Sequence, residues 1–475
     1  MRRNKYLFTS ISFGLAVALL AGCSAGKNYK RPELNAPTQY ATGASDSSAA
    51  LLSWKVFFQD PTLVGLIDKA LVSNFDLQLA IQRLEASHAV AKQARLAWLP
   101  SLNAQGTVST NNPSNNSFTG IQLGSVPPPI GPLHHLEDYT LGGTLSWEID
   151  VWGKIRRQKE AAVATYLQSF EARRAVQTGL VASVANNYYN LVMLDAQLEI
   201  ATRNANLSDS IVQMIRLQKT AGEVTELAVQ QALSQQQTAA LLVPQLEQAI
   251  TLQENALRLL LGDWPGTVTR GTALDSLLSQ DSLATGVPAD LLRLRPDVRS
   301  SELALVTANA RVGAAQGAMY PALSITATGG LNAFEASNWF KTPASLFGIL
   351  AGNLTQPIFQ KRQLRTQLDI ARAEREQRAI EFRRSVMQGV HEVTNALVKI
   401  EKLQTQRTVA GDRVETLDQA VQNAQLLFRS GMANYLEVVT AQSRALQAEL
   451  EQATITRQHL SAQVELYQSL GGGWQ

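Results

Sequence analysis

Residues 217–229 read LQKTAGEVTELAV and residues 426–438 read LLFRSGMANYLEV, and the order of features around both stretches is the same. In each stretch a long polar run with helical character ends at a glycine. Three landmarks repeat at a constant separation of 209 positions (431 − 222 = 209), namely Gly222 and Gly431, Leu227 and Leu436, and Leu261-Gly262 and Leu470-Gly471. This register indicates an internal duplication, which predicts a pseudo-symmetric architecture rather than two unrelated domains.

The duplication extends towards the N-terminus through two Pro/aromatic landmarks. The turn at 98–102 matches the turn at 319–323 (321 − 100 = 221), and 150–152 matches 357–359 (359 − 152 = 207). Each copy therefore predicts a helix, a strand, a loop, a second strand, a very long helix, a Gly turn and a long helix. We divide the chain accordingly into a first repeat, a linker, a second repeat and a C-terminal tail: 61–262, 263–295, 296–470 and 471–475.

The N-terminus has the order of an export signal. Three basic residues among the first five precede an apolar stretch at 7–20, which is too short for a comfortable membrane span. This stretch leads into LAGCS, which resembles the bacterial lipobox, and its Cys23 is the only cysteine of the chain. We predict a signal peptide at 1–22, a covalent lipid on Cys23, and a lipid-anchor and tether segment at 23–60; the alternative is an incidental thiol in a discarded signal.

Four segments between the helices lack helical periodicity and are rich in Thr, Ser, Gly and apolar residues: 102–110, 139–150, 323–331 and 346–355. Their length of about ten residues is that of a tilted membrane-spanning strand, although ordinary hairpins of a soluble domain are the alternative. The connections favour membrane strands, because 111–137 and 333–344 are long and polar whereas the opposite ends run directly into helices.

Four strands cannot close a barrel, and an open sheet edge has no hydrogen-bond partners in lipid. If the strands enter a membrane, the chain must oligomerise. Three copies would supply about twelve strands, which lies within the range of outer-membrane barrels.

Two runs without proline predict helices of about 67 residues, or about 100 Å at 1.5 Å per residue. The short Gly turns make each long helix antiparallel to the helix that follows it. Their apolar seams are thin and interrupted, by Asp195 in the first and Gln253 in the second, which favours coiled-coil pairs with wet outer faces. The predicted long helices and their partners span 154–220 with 223–261, and 361–430 with 432–470.

Several motifs carry a resemblance to a known family. The most specific are LRLRPDVRSSE at 292–302 and LGGGW at 470–474, and they are joined by NYKRPELNAP at 28–37, the FFQDP run at 57–61 and NFDL at 74–77. With these motifs the chain resembles the TolC-like outer-membrane efflux proteins, in the lipoprotein branch to which OprM belongs, over nearly its whole length from about residue 28.

The resemblance implies a mainly helical homotrimer with a 12-stranded membrane β-barrel, a 12-helix periplasmic α-barrel and an equatorial girdle that includes 263–295. It implies a passive exit duct of a tripartite efflux pump, with a periplasmic adaptor protein, an inner-membrane transporter of the RND type and outer-membrane lipid as partners. Two alternatives remain: the outer-membrane component of a protein secretion system, and a lipid-anchored structural coiled coil without a pore.

The resemblance also implies a constriction at the periplasmic end of the tunnel, just beyond the second Gly turn. It places this gate on Leu436, Glu437 and Thr440, with Leu227 as the first-repeat equivalent and Gly222 and Gly431 as the helix-turn tips. Relatives often carry Asp where Thr440 stands, so an acidic ring rests on Glu437. The alternative for Glu437 is an ordinary exposed carboxylate of a coiled coil.

The rest of the sequence indicates no catalytic or metal-binding site. The five histidines show no metal-ligand spacing, and no nucleophile with a base and an orienting acid can be assembled; the neighbouring His134 and His135 are expected to be solvated. A formal net charge of +3 without a basic stripe argues against nucleic acid. We therefore expect no enzyme, no metal and no cofactor besides the lipid on Cys23.

Overall fold

The computed structural model describes residues 25–34, 37, 51–127, 135–271, 273–277 and 288–474. The predicted signal peptide, the lipidation site Cys23 and His134 lie outside the described residues, as does most of the tether after Pro37.

The described elements follow the predicted order. The helices and strands are α1 (Trp54–Phe57), α2 (Pro61–Ser73), α3 (Phe75–Leu96), β1 (Ser101–Asn111), α4 (Phe118–Gly124), β2 (Leu136–Ile149), α5 (Lys154–Thr220), α6 (Glu226–Leu260), α7 (Leu291–Leu294), α8 (Pro296–Gly317), β3 (Ala322–Ala333), β4 (Leu346–Thr355), α9 (Gln363–Arg429) and α10 (Tyr435–Ser469). None of the described helices combines the length and the apolar character that a membrane crossing requires.

The duplication is visible in the helix lengths. The long helices α5 and α9 have 67 residues each, their partners α6 and α10 have 35 each, and α3 and α8 have 22 each. The match is imperfect in α6, which contains Pro244, whereas the equivalent position of α10 is Ala453. The repeats therefore share a fold but not every backbone hydrogen bond.

The structure shifts several predicted boundaries and adds one short helix. The loop predicted at 111–137 contains α4, whose first turn is capped by the Ser117 hydroxyl accepting from the Gly120 amide, and β2 already begins at Leu136. The second long helix begins at Gln363 rather than Lys361, because Lys361 and Arg362 have positive φ angles of 48° and 67°. These two extra residues account for the change of repeat separation from 207 to 209.

The chain separates into two compact units, and these do not coincide with the repeats. The first unit comprises residues 1–31, 87–166 and 303–379, and the second comprises 32–86, 167–302 and 380–475. Each repeat contributes to both units, because the strands of both repeats form a single sheet.

The first unit contains a four-stranded antiparallel sheet in the order β1-β2-β3-β4. Two glycine pairs face each other at its centre, Gly142 opposite Gly330 and Gly143 opposite Gly329. A Cβ added to Gly142 would lie 2.8 Å from the Gly329 carbonyl oxygen, so these central strands approach each other closely only because they carry no side chains there. Among the residues described here, β1 and β4 each leave one edge without a strand partner.

The second unit contains the main apolar core, in which the N-terminal segment packs on α5. Val184 and Tyr188, two residues of the predicted seam, are fully buried there with Leu63 and Ile67 of α2. The Tyr188 hydroxyl donates to Asp60, with 2.5 Å between the oxygens, and burial together with this carboxylate raises the pKa of Tyr188. Asp60 also accepts from the Thr62 amide and so caps α2.

The polar interruptions of the predicted seams have partners. Gln253 of α6 bonds to Asn187 and Asn190 of α5, with its nitrogen 2.8 Å from the Asn187 side-chain oxygen. Asp195 accepts from Arg270, which also donates to Glu254 at 2.6 Å. The linker after α6 is thus fastened to both helices of the first pair.

The two most specific sequence motifs lie against each other in the second unit. Arg295 of LRLRPDVRSSE is buried, and it donates to Glu392 at 2.7 Å and to the Ser469 carbonyl at 3.0 Å. Desolvation lowers the pKa of Arg295, but the hydrogen bonds and charges of Asp297 and Glu392 outweigh it and raise the pKa. Trp474 of LGGGW donates to the Leu294 carbonyl at 3.2 Å, so these motifs join the linker to the C-terminus.

Candidate gate and duct wall

The predicted helix-turn tips close both hairpins in the same way. Gly222 has a φ of +83° and Gly431 a φ of +75°, the left-handed conformation that the sequence predicted. In the first turn the Glu223 amide bonds to the Gln218 carbonyl at 2.9 Å, and in the second the Met432 amide bonds to Leu427 at 2.9 Å. This is the Schellman arrangement, which satisfies terminal carbonyls and favours glycine at the left-handed position.

The starts of the returning helices differ between the repeats. Asn434 caps α10 by accepting from the Glu437 amide at 3.1 Å, and its side-chain amide lies 3.4 Å from the Glu437 carboxylate. Thr225 precedes α6 without a side-chain cap, and Glu226 forms an ion pair with Lys219 across the turn. Glu437 thus contributes to helix capping, in addition to any part it has in a gate.

One apolar cluster brings the two turns together. Val438 of α10 is buried against the end of α5 and the start of α6, and Phe428 of α9 packs at its border. The buried members of this cluster are Ile211, Val212, Ile215, Ala228, Val229, Ala232 and Val438. Because all four helices contribute, the two turns lie at one end of the second unit, as the duplication predicted.

Burial of Val438 and its neighbours leaves the predicted gate residues at the surface. Leu227 is 60% exposed and Leu436 is 55% exposed. Glu437 and Thr440 are also exposed. The single chain therefore places these four side chains on one end without giving them a common partner.

Sequence reasoning missed a polar seam between α5 and α10. Arg203 pairs with Glu449 at 2.7 Å, and Gln197 donates to Thr454 at 3.1 Å. Burial raises the pKa of Glu449, although the charge of Arg203 opposes the shift. The partners lie about 250 positions apart in sequence, so no local pattern could have found them.

The sheet has one apolar face and one polar face. Strand partners share a face, and the register joins Leu102, Leu145, Ala327 and Leu350 in one row across all four strands. The residues of this face continue along β3 as Leu323, Ile325, Gly329, Leu331 and Ala333. The opposite face carries Asn103, Gln105, Thr107, Thr140, Thr144, Thr328 and Asn332, and its large apolar exceptions are Leu136, Phe347 and Ile349.

No grouping of three or more His, Cys, Asp or Glu side chains suited to a metal ion occurs among the residues that the structure describes. His135 instead lies within hydrogen-bond distance of Asn112 at 2.6 Å and of Glu137 at 3.2 Å. These contacts tie the end of β1 to the start of β2.

A model of the family described as outer membrane efflux protein matches residues 66–263 and 287–472. The chain is 32% identical to a probable efflux pump outer membrane protein, SepC, of Pseudomonas putida, and the alignment covers 98% of this chain and 96% of that protein. The family model covers most of both repeats, and the alignment with SepC covers nearly the whole chain.

Solved structures of similar fold support the same family. A membrane protein from Pseudomonas aeruginosa is 27% identical, with a TM-score of 0.86 over 94% of this chain and 100% of that chain. The open state of the MtrE outer-membrane channel of Neisseria gonorrhoeae is 25% identical, with a TM-score of 0.85 over 95% of this chain and 99% of that chain. The predicted fold class is confirmed, and its trimeric barrel fits this family.

The turn geometry predicts opposite effects for two glycine substitutions. Gly431→Ala should destabilise the protein by about 1 kcal/mol, because a Cβ disfavours the left-handed conformation. Gly179→Ala, in the interior of α5 with open space around it, should stabilise by about 0.5–1 kcal/mol through helix propensity. Urea unfolding followed by circular dichroism measures both, and equal signs would contradict the assigned turn.

Proposed function

The chain belongs to the outer membrane efflux protein family and is an outer-membrane channel of a tripartite efflux pump, and we propose that it acts as a passive, non-catalytic exit duct built from three copies. The observation that carries this proposal is the four-stranded sheet with one apolar face, one polar face and two unpaired edges. Its proposed cargo is drugs or other small molecules.

The sheet accounts for the membrane-spanning part of the duct. Backbone groups at an open edge are costly in lipid, so β1 and β4 require strand partners from other copies. With three copies the apolar rows face lipid, and the polar rows line a water-filled lumen. This arrangement gives the polar face, including Thr144 and Thr328, a role in conduction.

The proposed partners are a periplasmic adaptor and an inner-membrane transporter of the RND type. In this proposal the duct is passive, so the energy for export comes from the transporter. Relatives named as efflux pump components support this reading over protein secretion and over a structural coiled coil without a pore.

A lipid on Cys23 would anchor to the membrane the end of the sheet at which β2 ends. Support comes from the residues that follow it: the Ala25 amide donates to the Trp152 carbonyl at 2.8 Å, just beyond β2. Arg157 donates to the Ala25 carbonyl at 3.3 Å and to Asn28 at 2.9 Å. These contacts fasten the chain close to the sheet two residues after the proposed lipid.

We propose a gate beside the glycine turns, on Leu436, Glu437 and Thr440, with Leu227 contributed by the first repeat. All four are exposed in one chain and lie beside the turns that the apolar cluster brings together. Around a threefold axis, three copies of Glu437 would concentrate negative charge and favour cations. Three copies of Leu436 would narrow the opening.

The lipid is tested by metabolic labelling with a radioactive fatty acid. The wild-type chain should incorporate the label, and Cys23→Ala should lose it. Labelling of the variant at the wild-type level would refute the lipid at this position.

Two neighbouring residues test the faces of the sheet. Leu145→Lys should cost about 2–4 kcal/mol of insertion free energy, because its side chain would face lipid at mid-strand. Thr144→Lys, on the lumen face, should insert normally and change ion selectivity. The amount of trimer in isolated outer membranes measures insertion, and equal loss for both variants would contradict the assignment of faces.

The gate is tested by conductance in planar bilayers. Leu436→Ser should raise single-channel conductance and make cells more sensitive to vancomycin, because it removes the apolar constriction. Glu437→Gln should reduce cation selectivity with little change in conductance, since glutamine keeps the capping ability but not the charge.

Leu241→Ser is the matched control, because Leu241 is equally exposed at 62% but lies in the middle of α6. It should leave conductance unchanged. If neither gate variant alters conductance or selectivity while the trimer remains intact, the constriction lies elsewhere.

A further inference from the structure

The polar seam between α5 and α10 joins the two helix hairpins of one chain at a single height. The first hairpin is α5 with α6, and the second hairpin is α9 with α10. Arg203 donates to Glu449 at 2.7 Å, and the Gln197 side chain donates to the Thr454 hydroxyl at 3.1 Å. These residues lie 18 to 25 positions from the glycine turns (449 − 431 = 18; 222 − 197 = 25). At 1.5 Å per residue, the seam is about 27–38 Å from the turns.

Between the polar seam and the glycine turns, the two hairpins meet through apolar side chains. Ile211 and Ile215 of the first hairpin belong to one cluster with Val438 of the second. Among the residues that the structure describes, no hydrogen bond or ion pair joins the hairpins in this part, and the buried side-chain nitrogen of Gln442 has no partner. Hydrogen bonds fix the relative position of two helices, whereas apolar contacts are non-directional. The seam therefore separates a fixed part of the four helices from a part in which the hairpins can slide.

The first hairpin is interrupted at the height of the polar seam. Pro244 of α6 lies 22 positions after Gly222 (244 − 222 = 22), within the span of the seam. Proline has no amide to donate to the Ala240 carbonyl four residues earlier, and its ring crowds that turn of the helix. Helices bend most often at such positions. The first hairpin thus has a bending point where its fixed part ends.

The second hairpin has an extra contact at the same height. Arg413 of α9 pairs with Glu451 of α10 at 2.6 Å. Their first-repeat equivalents are Asn204 and Leu242 (413 − 209 = 204; 451 − 209 = 242), which cannot form an ion pair. Neither α9 nor α10 contains a proline, and Gly411 keeps its amide, so the helical bonding of α9 continues through this height. The two hairpins are therefore unequal at one height, and the first is the one that bends there.

We propose that the first hairpin bends at Pro244 when the gate opens, while the second hairpin stays straight and the two remain joined at the polar seam. The moving part is then residues 204–243, which include the turn at Gly222 and the gate residue Leu227. Its apolar contacts with Val438 slide during the movement. This proposal rests on the proposed gate and identifies the part of the chain that moves to open it.

Channel recordings of the full-length protein in planar bilayers test the bend. Pro244→Ala restores the missing amide and raises helix propensity, so this variant should fold at least as well as the natural chain. A straighter α6 should lower the fraction of time that the channel spends open by roughly threefold or more.

Gly411→Ala is the matched control, because it raises helix propensity at the same height of the second hairpin. It should leave the open fraction unchanged. An equal fall for both variants, a fall for Gly411→Ala alone, or no change in either would overturn the bend of the first hairpin.

Spin-label distances test the same bend without reference to conduction. One pair of labels, on Leu217→Cys and Leu426→Cys, joins exposed positions of the two hairpins near the turns. A second pair, on Leu252→Cys and Val398→Cys, joins exposed positions beyond the polar seam. Labelled chains carrying Cys23→Ala and diluted with unlabelled chains should give a broad distribution of distances for the first pair and a narrow one for the second.

Pro244→Ala should narrow the distribution of the pair near the turns and leave the other pair unchanged. If the pair near the turns is already as narrow as the other pair in protein that conducts ions, the bend is overturned and the duct remains. If no channel forms at all, the proposed function fails, and the two distance distributions still decide whether the first hairpin bends.

Discussion

The unpaired edges of a four-stranded sheet are the constraint on which the rest of this structure depends. Backbone amides and carbonyls on β1 and β4 need partners, and a lipid environment supplies none. The chain cannot satisfy them alone, so its two-faced sheet has a stable place in a membrane only as part of a larger barrel. The duplication repeats the strand pair with its flanking landmarks, since 98–102 matches 319–323 and 150–152 matches 357–359.

Local signals made much of this fold predictable. Helical runs without proline, Gly turns and short Thr-rich and Gly-rich strands are read from neighbouring residues, and the predicted helix at 154–220 is observed as Lys154–Thr220. The predicted start of the next long helix failed at Lys361 and Arg362, because two left-handed non-glycine residues have no reliable local signature. The short helix at Phe118–Gly124 was missed because it spans only seven residues within a long polar connection.

Long-range polar contacts lay beyond sequence reasoning. Arg203 and Glu449 look like ordinary surface charges until α5 and α10 are placed side by side. The motifs that carried the family resemblance have a structural explanation, because Arg295 and Trp474 fasten the linker to the C-terminus. Both residues are far in sequence from Leu227 and from the two glycine turns. The residues that identify the family are therefore different from those proposed to control passage, and the latter were placed only by resemblance and by the repeat register.

Pro244 makes the two helix hairpins mechanically unequal. Proline removes one backbone hydrogen bond from α6 and presses its ring against the preceding turn, whereas Ala453 leaves α10 continuous at the equivalent point. The hairpin of α5 and α6 therefore bends more easily than the hairpin of α9 and α10. In a threefold assembly, a force applied at the glycine turns would act on three flexible helix hairpins that alternate with three rigid ones.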